Sequence, residues 1–275
     1  MTNIDILNER LYSVKKRMLG MYHSANAGHI GCSLSCAEIL VHLKFSWMKS
    51  EDRLILSKGH AAALLYSVLA EAGNISDETI GTFYQNGTIL SAHPPVNSVR
   101  EIPFATGSLG HGLSLAAGMM FGARLKGETH KGFCVTSDGE LDEGSTWEAA
   151  LFIAHHRMTN LLWLIDRNRI QGIGGTEDVL RLEPLADKLR AFGFNVVSVD
   201  GHDFAALENV KDQTSGNAMT SLGPWVIICN TVKGHGVRYM ENTVDCHYLP
   251  MKEEQYLQAI SELDARHGKG SGTSA

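Results

Sequence analysis

Residues 132–170 carry the sequence GFCVTSDGELDEGSTWEAALFIAHHRMTNLLWLIDRNRI, and this stretch decides the fold class. Two short apolar runs, at 132–137 and 161–165, enclose a helical pattern at 143–156. Continuous apolar runs of this length are typical of strands that are covered on both faces of a sheet. A strand, a helix and a second strand in succession predict two parallel strands joined by a right-handed crossover.

The same alternation continues on both sides of this unit. Further strands are predicted at residues 53–57, 195–199 and 224–229. Helices are predicted at 5–22, 107–126 and 252–267, and another follows a turn at 58–60 and ends near Gly73. One more helix is predicted to be capped by Ser33 or Ser35 and to run to Trp47. Residues 81–106 are predicted to be irregular, because prolines 94 and 95 lie at their centre and proline fixes φ. The pattern predicts an α/β fold, a doubly wound parallel sheet flanked by helices. We expect one domain at residues 1–268 and a flexible tail at 269–275.

Composition and charge exclude several classes of protein. The formal charge is −6 and the basic residues are scattered, which argues against nucleic acid as a main partner. No apolar run is long enough for a membrane span, and the polar, acidic N-terminus is unlike a signal peptide. We therefore expect a cytoplasmic protein without membrane contact. The five cysteines are expected to be free thiols, since their number is odd and the cytosol is reducing.

Polar residues follow the two strands of the central unit. Asp138 and Gly139 come directly after the first strand, and Asn168 follows the second. Ligands of open parallel sheets bind at these carboxyl ends. A carboxylate, an amide oxygen and a backbone carbonyl, which we assign to Ile170, suit Mg²⁺ or Ca²⁺, and phosphate oxygens would complete the ligand set. Gly139 allows a backbone N–H to approach a phosphate closely. The pair therefore predicts a cation that holds a diphosphate.

Several segments resemble one family. SDGELDEGSTWEAALFIAHHRMTNLLWLIDRNRI is similar to the thiamine-diphosphate motif, in which GDG is followed after a helix and a strand by Asn. AGHIGCSLSCAEIL, DRLILSKGHAAALLYSVLA, ATGSLGHGLSLAAGMM and TVKGHGV resemble, in this order, segments of transketolases. The resemblance implies that the protein is the diphosphate-binding subunit of a split transketolase. Such an enzyme moves a two-carbon glycolaldehyde unit from a ketose donor to an aldose acceptor and uses thiamine diphosphate with Mg²⁺ or Ca²⁺.

The resemblance also implies roles for individual residues. His60 and His247 would lie nearest the diphosphate, and His29 and His93 would face the hydroxyls and the reacting carbonyl of the substrate. The expected catalytic residues are His29, His93, Glu143 and His247. The expected cofactor-binding residues are His60, Gly107, Ser108, Leu109, Asp138, Gly139, Glu140, Asn168, Ile170 and His247. The expected metal ligands are Asp138, Asn168 and Ile170.

The sequence departs from the family pattern at four positions. Ser137 replaces the first glycine of GDG, and Ile30 stands where proline is common. His111 replaces a usual glutamine, and Tyr248 follows His247 where glycine is typical. Ser137 is small enough for cofactor binding to survive, whereas His111 and Tyr248 are candidates for reshaping the substrate pocket.

The chain resembles less than half of a full transketolase. In the family, a second domain binds the aminopyrimidine and supplies a glutamate that meets the residue at position 143, and a third domain follows. We therefore expect a second subunit with both domains, a heterotetramer, and sugar, sugar-phosphate or sugar-sulfonate substrates. Two alternatives stay open: another thiamine-diphosphate enzyme, such as a 2-oxoacid dehydrogenase or a deoxyxylulose-phosphate synthase component, and a non-catalytic subunit that keeps the fold.

Overall fold

A five-stranded parallel sheet forms the centre of the computed structural model, which describes residues 1–215 and 223–269. Its strands are β1 (Arg53–Leu56), β2 (Gly132–Ser137), β3 (Leu161–Arg167), β4 (Asn195–Asp200) and β5 (Trp225–Asn230). They lie in the order β1-β2-β3-β5-β4, and every pair is parallel. The predicted sheet is confirmed. The predicted tail lies outside the described residues, apart from Lys269.

Helices cover both faces of this sheet. Those in the described residues are α1 (Asn3–Ser24), α2 (Ile30–Ser35), α3 (Ala37–His42), α4 (Ala62–Glu71), α5 (Asp77–Ile80), α6 (Gly112–Leu125), α7 (Gly144–His155), α8 (Thr176–Val179), α9 (Leu185–Phe192), α10 (Phe204–Ser215) and α11 (Glu253–Arg266). Alternate strand residues enter two separate apolar clusters, with Phe133 and Val135 on one side of β2 and Cys134 on the other. The sheet is therefore doubly wound, as its apolar strands predict.

Helix α1 shows why the prediction of helices beside the sheet succeeded. Leu7, Leu11, Val14 and Met18 recur on one face and are buried there. Thr2 accepts a hydrogen bond from the backbone of Asp5, whose side chain accepts one from the Thr2 backbone, so a capping box starts the helix. Helix α11, predicted from residue 252 to 267, is confirmed within one residue at each end.

The prediction that Ser33 or Ser35 caps the second helix is wrong. Helix α2 begins at Ile30, directly after His29, whose φ of 69° ends the preceding turn. Both serines lie inside α2 because their hydroxyls have tertiary partners. The Ser33 hydroxyl lies 2.6 Å from the Tyr22 hydroxyl, and Ser35 donates to Asp166 at 2.6 Å. The helical stretch is also broken at residue 36, and its last turn, Leu43–Trp47, is a π-turn.

The helix predicted from residue 107 begins five residues later, at Gly112. The backbone at Gly107 has a φ of 145° and that at Gly110 a φ of 81°, and neither conformation fits a right-handed helix. Residues 107–111 therefore form a turn that leads into α6. This turn lies next to the carboxyl end of β2, because the Gly110 N–H donates to Glu140 at 2.8 Å.

The predictions about thiols and membrane spans can also be compared with the structure. All five cysteines are buried and free, as predicted. Within the described part of the chain, no helix has both the length and the apolar character that a membrane crossing requires.

Candidate active site

Asp138 lies at the carboxyl edge of the sheet, directly after β2. Its side chain is 2% exposed and accepts hydrogen bonds from the N–H of Gly139 at 2.9 Å, the N–H of Arg169 at 2.6 Å and the hydroxyl of Thr176 at 3.2 Å. Burial, followed by the charge of Asp166, raises the pKa of Asp138 to about 6. Since no described basic group forms an ion pair with it, this carboxylate is suited to a bound cation.

Asn168 and Ile170 bring two more oxygen atoms to the same edge. The Asn168 amide donates to Asp166 at 3.3 Å and to Ser35 at 3.4 Å, which turns its oxygen the other way, toward the N–H of Ile170 at 3.1 Å. The Ile170 carbonyl accepts from the Lys233 ammonium at 2.9 Å. The carbonyl that was expected to bind a metal therefore also has a protein partner, which the sequence did not indicate.

A cavity of about 360 Å³ opens over these groups. Ten of the expected site residues line it: His29, His60, His93, Gly107, Leu109, Asp138, Gly139, Asn168, Ile170 and His247. Ser108, Glu140 and Glu143 are absent from its described wall. The structure thus brings together residues that are spread over more than two thirds of the sequence.

The cavity fits the predicted cation and diphosphate. The donors at its edge are a carboxylate, an amide and a carbonyl, all oxygen atoms, as a hard divalent cation requires. At Gly107 an added Cβ would lie 2.8 Å from the His93 ring, so a larger residue there would displace a ring that lines the cavity. The residues present are therefore suited to hold both groups.

Four histidines meet around the cavity. The ring centroid of His29 lies 5.5 Å from that of His60, 6.0 Å from that of His93 and 5.1 Å from that of His247. Burial lowers the pKa of each ring, that of His247 to about 3, with nearby Lys233 lowering it further. The rings are therefore neutral near pH 7. Lys233 donates to Nδ1 of His247 at 2.9 Å, which places the His247 proton on Nε2.

Glu140 and Glu143 lie beside the cavity in different settings. The Glu140 carboxylate is fully buried and accepts from the Ser57 hydroxyl and the Gly110 N–H. It therefore shapes the turn before α6 and does not face the cavity. Glu143 is exposed at the start of α7 and packs against Gly110, so its carboxylate can meet a group outside this chain. Ser108 is exposed on the same turn.

A buried ion pair below the site was missed by the sequence analysis. Lys58 and Asp166 are both 0% exposed and form a direct salt bridge. Asp166 also accepts from the Ser35 and Thr231 hydroxyls, and Lys58 also donates to the Cys32 carbonyl at 2.8 Å. Every charged atom thus has partners, as a fully buried pair requires. The sequence indicated this pair only through Lys58 itself, a lysine that stands between a predicted strand end and Gly59.

Lys233 is the second residue that was missed. Its side chain is 1% exposed, and its ammonium also donates to the Gln171 carbonyl at 3.2 Å. It therefore connects the loop after β3 with the histidine side of the cavity. It stands in the motif TVKGHGV, which was quoted for the resemblance, yet the spacing alone gives no reason to assign it to the site.

A second group of potential metal ligands lies outside the described wall of the cavity. Glu38, His202 and His235 converge there, and the two histidine rings stack at 3.6 Å. The Val232 N–H donates to Nε2 of His202 at 2.9 Å, so the ring proton is on Nδ1, which donates to Glu38 at 3.0 Å. A metal at Nδ1 would displace this proton and leave an imidazolate. The group therefore serves to anchor the segment that carries Lys233.

The four departures from the family pattern occupy different environments. Ile30 is fully buried in the core, and Ser137 accepts from the Glu140 N–H at 3.2 Å. His111 is exposed and is absent from the described wall of the cavity. Tyr248 lines the cavity, with its ring centroid 4.6 Å from that of His247.

Comparisons with known proteins show which proteins this chain resembles. A family model described as the transketolase thiamine diphosphate binding domain matches residues 10–268. The chain is 37% identical over 261 residues to one of the subunits of the apulose-4-phosphate transketolase of Phocaeicola vulgatus, with 92% of each chain covered. It is 36% identical over 261 residues to the 6-deoxy-6-sulfo-D-fructose transketolase subunit SqwG of Clostridium sp. MSTE9, with 91% of this chain and 94% of the relative covered.

Solved structures give the same result for the fold. Transketolase from Campylobacter jejuni superposes with a TM-score of 0.87 at 29% identity, covering 97% of this chain and 43% of the other. The chain thus spans less than half of that transketolase, whereas it spans nearly the whole of the two subunits above.

Proposed function

The chain belongs to the transketolase family, and we propose that it is the thiamine-diphosphate-binding subunit of a split transketolase. The complete enzyme would move a two-carbon glycolaldehyde unit from a ketose donor to an aldose acceptor. The observation that carries this proposal is the single cavity in which Asp138 and Asn168 meet four neutral histidines. Residues 1–268 would act as one domain in a soluble, cytoplasmic complex.

Asp138, Asn168 and the Ile170 carbonyl would hold a divalent cation, which we propose to be Mg²⁺ or Ca²⁺. The cation would bind the diphosphate, and the Gly139 backbone would approach it closely. Thiamine diphosphate, when bound, supplies the carbanion chemistry that a side chain cannot supply. Lys233 adds a positive charge to the cavity wall, which favours an anionic ligand.

The histidines would divide the remaining work. His60 and His247 would contact the diphosphate side of the cofactor, and His29 and His93 would contact the hydroxyls and the reacting carbonyl of the sugar. Because His247 carries its proton on Nε2, it can donate a hydrogen bond to an oxygen in the cavity without a charge of its own. Neutral rings can also accept a proton when one is released.

A second subunit would complete the site. Glu143 would share a proton with a carboxylate of that subunit, which suits its exposure at the start of α7. The relatives named as subunits support a partner, and we propose a heterotetramer of two such pairs. A terminal phosphate or sulfonate of the sugar would be bound by the partner, because Lys233 is the one cation in the described cavity wall and it already has three acceptors.

The test compares two reactions of the purified complex with thiamine diphosphate and Mg²⁺. Transfer of glycolaldehyde from a ketose to an aldose is expected, whereas decarboxylation of 2-oxoacids is not. Efficient decarboxylation without transfer would favour a different thiamine-diphosphate enzyme. Absence of both reactions, together with absence of cofactor binding, would favour a non-catalytic subunit.

A further inference from the structure

Tyr248 stands where two cavities meet. It lines the cavity that holds Asp138 and Asn168, and it also lines an adjoining cavity of about 510 Å³. His29, His60 and His93 are the other residues shared by both walls. Tyr248 is 55% exposed, and its ring centroid lies 6.4 Å from that of His29. A molecule that extends from one cavity into the other would therefore run beside Tyr248 and these three histidines.

The structure accommodates Tyr248 through two glycines. An added Cβ at Gly172 would lie 2.2 Å from the Tyr248 hydroxyl oxygen, so any larger residue there would displace the ring. An added Cβ at Gly28 would lie 2.3 Å from the Tyr248 carbonyl oxygen. The residue thus reaches from the turn before α2 to the loop after β3, across the mouth of the cavity that holds Asp138. Its position is fixed at both ends by close backbone contact.

The wall of the outer cavity is neutral. Aromatic rings of Tyr22, Phe83 and Tyr84 line it, together with Asn26 and Ser91, and its described lining contains no Lys, Arg, Asp or Glu. Such a wall can pack against the C–H groups of a sugar and form hydrogen bonds with its hydroxyls, but it does not select for charge. Discrimination on this chain must therefore depend on shape.

From this geometry we infer that Tyr248 is a specificity-determining residue, whose ring limits the length of the carbon chain that a ketose donor can extend beyond its reacting carbonyl. The inference rests on the proposed transketolase function. The carbonyl would lie beside His29 and His93, and the remaining chain would run along the edge of the Tyr248 ring into the outer cavity. Short donors avoid this passage, and long donors do not.

His111 provides a matched comparison. Like Tyr248, it departs from the family pattern, but it is exposed at the start of α6 and is absent from the described walls of both cavities. Of these two departures, the geometry therefore assigns the effect on substrate choice to Tyr248. A change of His111 to the glutamine that is usual in the family serves as the control.

The experiment uses the complex that this chain forms with its partner, and it compares two donors, a four-carbon and a seven-carbon 2-ketose. Both are unphosphorylated, so cations of the partner do not enter the comparison. The measured quantity is the ratio of kcat/KM for the long donor to kcat/KM for the short donor. The open-chain fraction of each sugar cancels when this ratio is compared between variants.

Tyr248→Gly is expected to raise the ratio by about tenfold or more, since space for a few more carbon atoms in a pocket commonly changes the discrimination between substrates by this factor. Tyr248→Phe keeps the ring and should change the ratio by less than about threefold. Tyr248→Trp should lower it, and His111→Gln should leave it unchanged. Calorimetric titration with thiamine diphosphate checks that each variant complex still binds the cofactor.

Two outcomes separate the inference from the function on which it rests. If the wild-type complex transfers glycolaldehyde and neither Tyr248→Gly nor Tyr248→Trp shifts the ratio, the role of Tyr248 is refuted and the proposed function stands. If the wild-type complex transfers from no ketose, the proposed function is refuted, and the inference with it.

Discussion

Removing the charge of Lys58 should destabilise the protein severely. Lys58 and Asp166 are fully buried, and burial opposes the charge of both groups. Burial is the largest single influence on each group, but their mutual attraction and the other neighbouring groups together outweigh it, so the pKa of Lys58 is raised and that of Asp166 is lowered. Lys58→Met leaves the Asp166 carboxylate buried without its counter-charge, which costs about 3 to 5 kcal/mol. This is a large part of the ordinary stability of a domain, about 5 to 15 kcal/mol.

The measurement is urea unfolding of the full chain, followed by tryptophan fluorescence and circular dichroism. With a slope of about 3 kcal/mol per M, a loss of 3 to 5 kcal/mol lowers the midpoint by about 1 to 1.7 M. The double variant Lys58→Met with Asp166→Asn removes both charges and should recover about half of the loss or more, because no unpaired charge remains. Lys16→Met, at a surface pair with Asp264, should change stability by less than about 0.5 kcal/mol.

The reasoning is refuted if Lys58→Met lies within about 1 kcal/mol of the wild type. It is also refuted if the double variant is no more stable than Lys58→Met, because removal of the unpaired Asp166 charge should recover part of the loss.

Three further predictions concern other charged groups. Burial raises the pKa of Asp138 to about 6, so binding of thiamine diphosphate with Mg²⁺ should weaken by about tenfold per pH unit below that value and level off above it. Calorimetry at several pH values measures this affinity. A pH-independent affinity from pH 5 to 8 would contradict the assignment of Asp138 as a metal ligand. Lys233→Met removes hydrogen bonds to the Ile170 carbonyl and to His247, and should weaken cofactor binding by about tenfold or more in the same titration. An unchanged affinity would show that Lys233 does not position these two groups for the cofactor. Burial is the largest single influence on the pKa of Glu38 and opposes its charge, but Lys15, His202 and His235 together outweigh burial and lower this pKa to about 2. The Glu38 carboxylate therefore stabilises the fold above the unfolded pKa, and this gain is lost as the pH falls through about 2. Glu38→Gln should therefore cost about 3 kcal/mol in urea unfolding at pH 7 and much less near pH 2, and an equal cost at both values would refute the ionic explanation.

The central part of the fold and of the site was predictable because both depend on local patterns. Apolar runs predict the strands of a doubly wound sheet, and the residue that follows such a strand must lie at its carboxyl edge. The position of Asp138 and Asn168 at this edge was therefore predictable from the sequence. The roles of the histidines came from the resemblance, and the structure supports them by placing all four rings around one cavity.

What the sequence did not predict depends on contacts between distant segments. Lys58 and Asp166 are 108 positions apart, and no local pattern indicates that they pair. Ser33 and Ser35 are good capping residues, but the partners that the folded chain offers them, Tyr22 and Asp166, place both inside α2.

The two departures near the substrate pocket could likewise be separated only by the fold. A histidine at 111 and a tyrosine at 248 look equally suited to reshape a pocket when read from the sequence. In the structure one is exposed and the other lines both cavities.

The central claim is that this chain supplies the diphosphate and metal half of a transketolase site that a second subunit completes. The most direct test measures glycolaldehyde transfer, with thiamine diphosphate and Mg²⁺, by this chain alone, by the partner alone, and by their mixture. Transfer by the mixture only, and its loss in a mixture made with Asp138→Ala, is the predicted result. Robust turnover by this chain alone, or full activity of the Asp138→Ala mixture, would contradict the account.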